Sequence, residues 1–360
     1  MTRKSSPANT PGHRSQARAA RWLRGGMVAS LALSLPGCNN TASYLVHVSL
    51  GQMRHLLDRE PLTDARIAAL PEAEQRGLET VRRAQAFGER LGLAASTSYR
   101  HVIDRDSRSA VQVVTAAPAD RLEPITWWFP VTGRISYRGY FDAGRAHAFA
   151  DRLAAAGNDA YVRPALMYST LGWFDDPIPT EALRWPEADL LDVALHEQVH
   201  ETVFVPGDPD YNEALASFVA HHATVELLAD DGETLDEVRR IYADRSRFVA
   251  LIDALYHELE TLYADVDSPE EARERRKEVF ARYQGPLFDQ EEWESDRYAS
   301  FPSAPLSNSY ILARRTYTRM GPCLEAELRD LGGDLRAFIA AHRASPGHRA
   351  PAADCPEAGS

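Results

Sequence analysis

Cysteine is scarce in this 360-residue chain, which has only three. That is too few for a disulfide scaffold, and no Cys-x-x-Cys pair exists to hold a cluster or a redox centre. Long apolar runs are missing as well. No stretch reaches the 18 or so apolar residues that would read as a membrane-spanning helix. Past the opening segment there is no block of lysine and arginine, and the formal charge is -12 with a pI near 5.5. A general nucleic-acid binder needs a basic face, so no nucleic-acid partner is expected. No internal repeat is visible. What the chain does have is 44% hydrophobic and 26% charged residues, enough to bury a core and too apolar for wholesale disorder.

Residues 1–37 read as an address. They carry Arg3, Lys4, Arg14, Arg18, Arg21 and Arg24 but no acid, and then the short apolar run Met27–Leu35. A basic n-region, a short h-region and a small residue before the cut form the secretory pattern. Leu35-Pro36-Gly37-Cys38 resembles a bacterial lipobox, whose cysteine becomes the lipidated N-terminus. Cys38 is therefore the expected lipidation site, with residues 1–37 a lipoprotein signal peptide and 38–43 a tether. The expected location is the cell envelope, anchored in a membrane by lipid. Asn39 beside the cysteine favours the outer membrane facing the periplasm. The remaining body is more acidic still, so the lipid rather than the body would hold the membrane. Cys323 and Cys355 could pair in such a compartment. Two lone cysteines, one in a Pro/Ala-rich tail, are expected to stay apart.

Hydrophobic spacing predicts a helix over Tyr44–Arg59 and a second opening at Pro71, with Leu78, Val81, Ala84, Phe87 and Leu91 on one face. Together they suggest a helical hairpin over 44–95. From 97 to 185 the period changes. Strands are expected at Ala110–Thr115, Ile125–Val131, Ile135–Phe141 and Ala160–Arg163, with a helix over Ala143–Ala156. Residues 186–345 read as almost wholly helical, in segments 187–204, 211–229, 234–265, 269–284 and 310–343. Residues 346–360 read as a disordered tail. The fold expected is α+β and mostly helical, one domain over 44–345 with a small sheet ahead of a helical C-terminal half.

One segment carries chemistry. His196-Glu197-Gln198-Val199-His200 is H-E-x-x-H, on a segment that opens at Pro186 with Glu187 and Asp189 in its first turn. On a helix His196 and His200 lie one above the other, so both imidazoles can reach one zinc ion at about 2.0–2.1 Å. Glu197 then stands beside the metal, placed as general base for a water whose pKa falls to about 7 on a catalytic zinc. Zinc is the cofactor expected. A catalytic zinc wants a third protein ligand and an open position. The metzincin extension fails, because Val203 and Pro206 stand where it requires Gly and His. Glu213 is the better third ligand. It lies early in a second helix, after the turn-forming stretch 206–210. The Asn212-Glu213 pair resembles the thermolysin-like zincins, although Ser217 stands where those enzymes have an acid bonded to a zinc histidine. His221 and His222 are weaker alternatives as ligands. His257-Glu258-Leu259-Glu260 lacks the second histidine and reads as a solvated helix stretch.

Zincins hold a peptide against a sheet edge just before the metal helix, and the β-prone stretch Ala165–Phe174 stands in that place. Gly172 there allows close backbone approach. Core packing of Trp173 and Phe174 is an equal alternative for this stretch.

Tyr137–Phe141, Tyr168–Pro177, His196–His200 and Asn212-Glu213, in this order and spacing, resemble the bacterial predicted zinc aminopeptidase family of envelope lipoproteins. The resemblance spans about residues 38–345. It implies a zincin-like metallopeptidase with a gluzincin-like site: His196, His200 and Glu213 on zinc, Glu197 as base, and a peptide as substrate. Asp175 and Asp176 are candidate anchors for a free amine, although capping roles suit them too. Tyr310 and Tyr317 are oxyanion candidates by residue type alone. Three readings stay open on the residues: a peptidase, a hydrolase of another envelope amide bond, and a non-catalytic lipoprotein with a structural metal site. Oligomeric state is not legible.

Overall fold

The computed structural model describes residues 39–96, 98–104, 110–129, 133–165, 176–317 and 320–347. The chain divides into two units, Met1–Met53 and Arg54–Ser360. Helix α1 (Asn39–Leu57) begins in the first and ends in the second. Along it Val46, Leu50 and Met53 are 51–61% exposed. Everything below lies in the second unit. The expected lipidation site Cys38 and the leader fall outside the described residues. So do the 346–360 tail beyond Gly347, the candidate edge strand past Ala165 with Gly172, Trp173 and Phe174, and Asp175 after it.

After α1 come β1 (Glu60–Pro61), α2 (Asp64–Ala68) and α3 (Glu72–Leu91). The expected simple hairpin is thus interrupted by a short strand and a short helix. Then follow β2 (His101–Ile103), β3 (Val111–Pro118), β4 (Trp127–Phe129), β5 (Gly133–Ile135), β6 (Tyr137–Tyr140), α4 (Ala143–Ala155), β7 (Asn158–Ala165) and β8 (Ile178–Pro179). The last part is helical: α5 (Glu187–Thr202), α6 (Pro209–Leu227), α7 (Gly232–Tyr263), α8 (Pro269–Gln284), α9 (Pro286–Asp289), α10 (Asn308–Arg315), α11 (Gly321–Asp330) and α12 (Leu335–Ala344). The fold is mostly helical with small sheets, consistent with the α+β expectation. None of the described helices is long and apolar enough to cross a membrane.

The long helix expected over 310–343 is three helices. Residues 316 and 317 turn out of α10, and Gly332 and Gly333 adopt φ of 71° and 79° between α11 and α12. Such left-handed backbone is open to glycine at little cost. Cys323 is disulfide-bonded, against the expectation that it would stay free, and its partner lies outside the described residues.

Two sheets matter for the site. Strand β3 is central, antiparallel to β6 and β7 on either side. Its register sets Tyr137, Thr115 and Tyr161 in one row and Gly139, Val113 and Arg163 in the next. Side chains two apart share a face, so Tyr161 and Arg163 face the same way. Strand β2 pairs in parallel with β8, Val102 opposite Ile178, just before α5.

Helices α3, α5 and α6 build one core, through Leu78, Val81, Leu191, Leu195, Leu215 and Val219. A second core gathers the later part of α7, α8 and α10 around Phe248, Leu255, Leu259, Phe301 and Ile311. Two glycines let α3 come close. A Cβ on Gly77 would lie 1.9 Å from the Leu183 carbonyl oxygen, and one on Gly88 would lie 2.2 Å from Gln198 Oε1.

Candidate metal centre and its cavity

Helix α5 is apolar where it meets α3: Leu190, Leu191, Ala194, Leu195 and Val199 are at most 1% exposed. His196 and His200, four apart, stack on another face. Residues between and just after them fasten the helix. The Gln198 side-chain amide donates to Gln85 O (3.2 Å) and Ala94 O (2.9 Å). Thr202 Oγ1 accepts from Ala94 N (2.9 Å) and donates to Gln198 O (2.7 Å). The hydroxyls of Ser96 and Ser98 donate to Glu201 Oε1 at 3.0 and 2.6 Å. Positions 198, 201 and 202 therefore lock the pitch and rotation of α5, and 196, 197 and 200 are aimed as a consequence.

Helix α6 is started just as firmly. Asp208 caps it by accepting from Tyr211 N (3.1 Å), with Pro209 in the first turn. Asn212 clamps the linking segment at Val205: its Oδ1 accepts from Val205 N and its Nδ2 donates to Val205 O, each at 2.8 Å. This is what the Asn of the Asn-Glu pair does. Glu213, the next residue, is thereby held in the first turn of α6 against α5.

Three ligand-type atoms converge. His196 Nε2 is 3.1 Å from His200 Nε2 and 3.2 Å from Glu213 Oε2, and His200 Nε2 is 3.7 Å from the same oxygen. The two imidazoles meet edge to face. Ligands about 2.0–2.2 Å from a tetrahedral ion stand roughly 3.3–3.5 Å from one another, so these spacings suit one small cation. Two neutral imidazoles and a carboxylate are also a donor set zinc takes. The residues fit the metal. Among the described residues, the metal-type cluster is these three.

Electrostatics agree with a cation-ready site. Burial pushes the Glu213 carboxyl up, but the hydrogen bonds with His196 and His200 outweigh it and hold the group well below its ordinary value. Burial pulls His200 down, and the bond and charge of Glu213 reverse this to leave it raised. Glu197 is raised. Burial drives it up, and its neighbours Glu213 and Glu201 add to the rise that His200 and His196 oppose.

Ser217 Oγ lies 3.4 Å from His196 Nδ1, one turn after Glu213. The residue that departs from the thermolysin-like pattern therefore still supplies the partner of the histidine's other nitrogen. His200 Nδ1 is buried with no hydrogen-bond partner among the described residues.

His196, Glu197 and Ser217 border a cavity of about 720 Å³. Tyr317 borders it too, its ring centroid 6.3 Å from that of His196. Burial, then Glu213, pushes the Tyr317 hydroxyl up to about 12, so it is a donor at neutral pH. Arg163 Nη2 donates to the Tyr317 oxygen at 2.8 Å. Sequence reasoning missed Arg163, whose only signal was alternation with Tyr161 on a strand. It also missed Tyr99, a buried residue with φ of 65° whose hydroxyl is raised by burial and then by the Glu197 charge. Left-handed backbone costs a side-chain-bearing residue about 1–2 kcal/mol, and here it sets Tyr99 beside Glu197.

Other candidates fall elsewhere. Tyr310 is 4% exposed and packs edge to face on Tyr161 in the second core; it is a packing tyrosine. Asp176 is 1% exposed, and its carbonyl accepts from Tyr99 N. His221 stacks on Tyr242 at 3.8 Å, and burial followed by His222 takes it down to about 3. His222 lies 3.3 Å from Glu325. Neither joins the cluster. His257 is 3.3 Å from Glu260 on α7.

The family model described as "Putative aminopeptidase" matches residues 43–349. The chain belongs to that family, and the match takes in every residue of the cluster. No curated protein and no solved structure matches the chain.

Proposed function

We propose that this member of the "Putative aminopeptidase" family is a zinc-dependent peptidase, held by lipid at Cys38 in the cell envelope. The observation that carries the metal is the convergence of His196, His200 and Glu213 at the wall of a cavity that Glu197 also borders. The family supports a peptidase in general, and the cluster and its neighbours support the finer reading.

His196, His200 and Glu213 would hold the metal through Nε2, Nε2 and Oε2. Zinc bound there supplies Lewis acidity toward a carbonyl and a lowered pKa for water. Glu197 takes the water's proton and returns it to the leaving amine. Its raised carboxyl, nearer neutrality than an exposed glutamate, suits a group that must both accept and release a proton. Tyr317 is the oxyanion donor. Arg163 occupies a lone pair of its oxygen, so the phenolic hydrogen is left to point at the substrate. Ser217 holds the His196 ring with Nε2 turned inward. The sheet row bearing Arg163 and the α5–α6 pair are the rigid parts on which these groups ride.

The test is hydrolysis of peptides with free and with blocked N-termini by zinc-loaded wild type and Glu197→Gln. The reading predicts cleavage by wild type, a loss of about 100-fold or more in the variant, and unchanged metal content. A preference for free N-termini marks an aminopeptidase. No cleavage by fully loaded wild type contradicts the reading. Radiolabelled fatty acid incorporated by wild type and not by Cys38→Ser tests the anchor.

A further inference from the structure

The cavity continues past the metal cluster into a region of charge that the mechanism does not use. Arg245, Arg297 and Arg314 border it, as do Asp189 and Asp192 from the first turns of α5. Two of these arginines are matched. Arg297 pairs with Asp189, and Arg245 Nη1 lies 3.7 Å from Asp192 Oδ2, whose other oxygen accepts from the Tyr242 hydroxyl at 3.1 Å. Arg314 differs. Among the described residues no carboxylate lies within ion-pair distance of it, and its guanidinium sits 5.1 Å from the ring centroid of Tyr310. Tyr310 is itself fixed in the second core. The guanidinium is thus braced by an uncharged tyrosine, on an exposed residue at the rim of the cavity in a protein that is acidic overall. Arg163, the fourth cation on this wall, is bonded to Tyr317.

We propose that Arg314 is a carboxylate subsite, which makes the preferred substrates short or acidic peptides bearing a carboxylate within about two residues of the scissile bond. The placement follows from α10. Tyr317 follows just past the end of α10, and its N–H bonds Arg314 O at 3.4 Å in a turn. Residues three apart on such a turn are neighbours, with Cβ atoms about 5–6 Å apart. Tyr317 stands at the scissile carbonyl in the reading above, and an extended peptide advances about 3.3–3.6 Å per residue. A carboxylate one or two residues along meets Arg314, which can hold it with two parallel N–H bonds. The terminal carboxylate of a di- or tripeptide and an acidic side chain offer the same chemistry. The position rests on the peptidase reading; the binding of a carboxylate does not.

Calorimetric titration of zinc-loaded Glu197→Gln protein separates binding from hydrolysis. The probes are trialanine, trialanine amide and Ala-Asp-Ala amide, titrated into that background alone and with Arg314→Ala or Arg314→Lys added. Trialanine or Ala-Asp-Ala amide binds about tenfold or more tightly than trialanine amide. Which of the two does so identifies the terminal or the side-chain source. Arg314→Ala abolishes the difference, and Arg314→Lys keeps part of it. Equal affinities for all three probes, no binding of either acid, or an Arg314→Ala loss equal across all probes overturns the proposal. Failure of the peptidase reading shows separately, as wild type that binds the acids and cleaves none of them.

Discussion

Ser217 Oγ lies 3.4 Å from His196 Nδ1, one helical turn beyond Glu213 on α6. The same helix thus carries both a ligand of the proposed metal and the group that orients another ligand. A hydroxyl is a weaker partner than a carboxylate and leaves the imidazole less basic. Ser217→Ala should lower zinc affinity about tenfold, the lower end of the range for such partners, with the fold intact. Competition with a chelating dye checks this, and an unchanged affinity would remove Ser217 from the site.

Tyr317→Phe keeps the ring beside His196 and removes only the donor. If Tyr317 stabilises the oxyanion, kcat falls about 100-fold or more while KM and zinc content hold steady. A change confined to KM would make Tyr317 a substrate contact instead.

Packing ahead of α5 depends on a missing side chain. A methyl at Gly77 would meet the Leu183 carbonyl oxygen at 1.9 Å, a backbone atom that cannot swing away. Gly77→Ala should cost about 1–3 kcal/mol and lower the melting temperature. Gly92→Ala, with nothing within 4 Å of its Cβ but φ of 100°, separates backbone strain from overlap. A Gly77→Ala protein as stable as wild type would mean that α3 can lift from this turn at no cost.

Acid should loosen a contact outside the metal-type cluster. Asp244 is fully covered; its carboxylate accepts from Ser295 Oγ (2.6 Å), Glu294 N (2.8 Å) and Arg247 Nη1 (2.9 Å). Burial raises its carboxyl, but these bonds outweigh burial and leave it below its ordinary value. A carboxyl depressed in the folded state stabilises above the unfolded value near pH 4, and that stability is lost as pH falls through the folded value. Asp244→Asn should therefore cost about 1–2 kcal/mol at pH 7, and the gap to wild type should narrow below about pH 4. Thermal melts from pH 7 to pH 3 check it; a gap that widens with acid contradicts the assignment.

The metal-type cluster is legible because helical period is local: His196 and His200 share a face whatever surrounds them, and the turn-forming stretch 206–210 sets off a second helix, which opens at Pro209 rather than at 211. The α8 segment matches the expected 269–284 to the residue, with Ser268 capping it and Gly285 ending it. What stayed hidden depended on tertiary approach. No spacing rule joins Arg163 on β7 to Tyr317, 154 residues later, or shows that Tyr310 would turn into the second core while Tyr317 faced the cavity. The 310–343 stretch reads as one helix because apolar period persists through it, whereas the backbone turns at 316–317 and at Gly332-Gly333. Cys323 was misjudged because pairing depends on distance, which sequence does not record.

The central claim is a three-ligand metal centre, and metal content per chain tests it most directly. Mature protein purified without added metal, as wild type, His196→Ala and Glu213→Ala, is assayed for zinc and, after reloading, assayed again. The account predicts about one zinc per wild-type chain, the single ion a three-ligand site holds, and sharply less in both variants. Full zinc retention by Glu213→Ala, or a wild type that binds no metal under any loading, would contradict it.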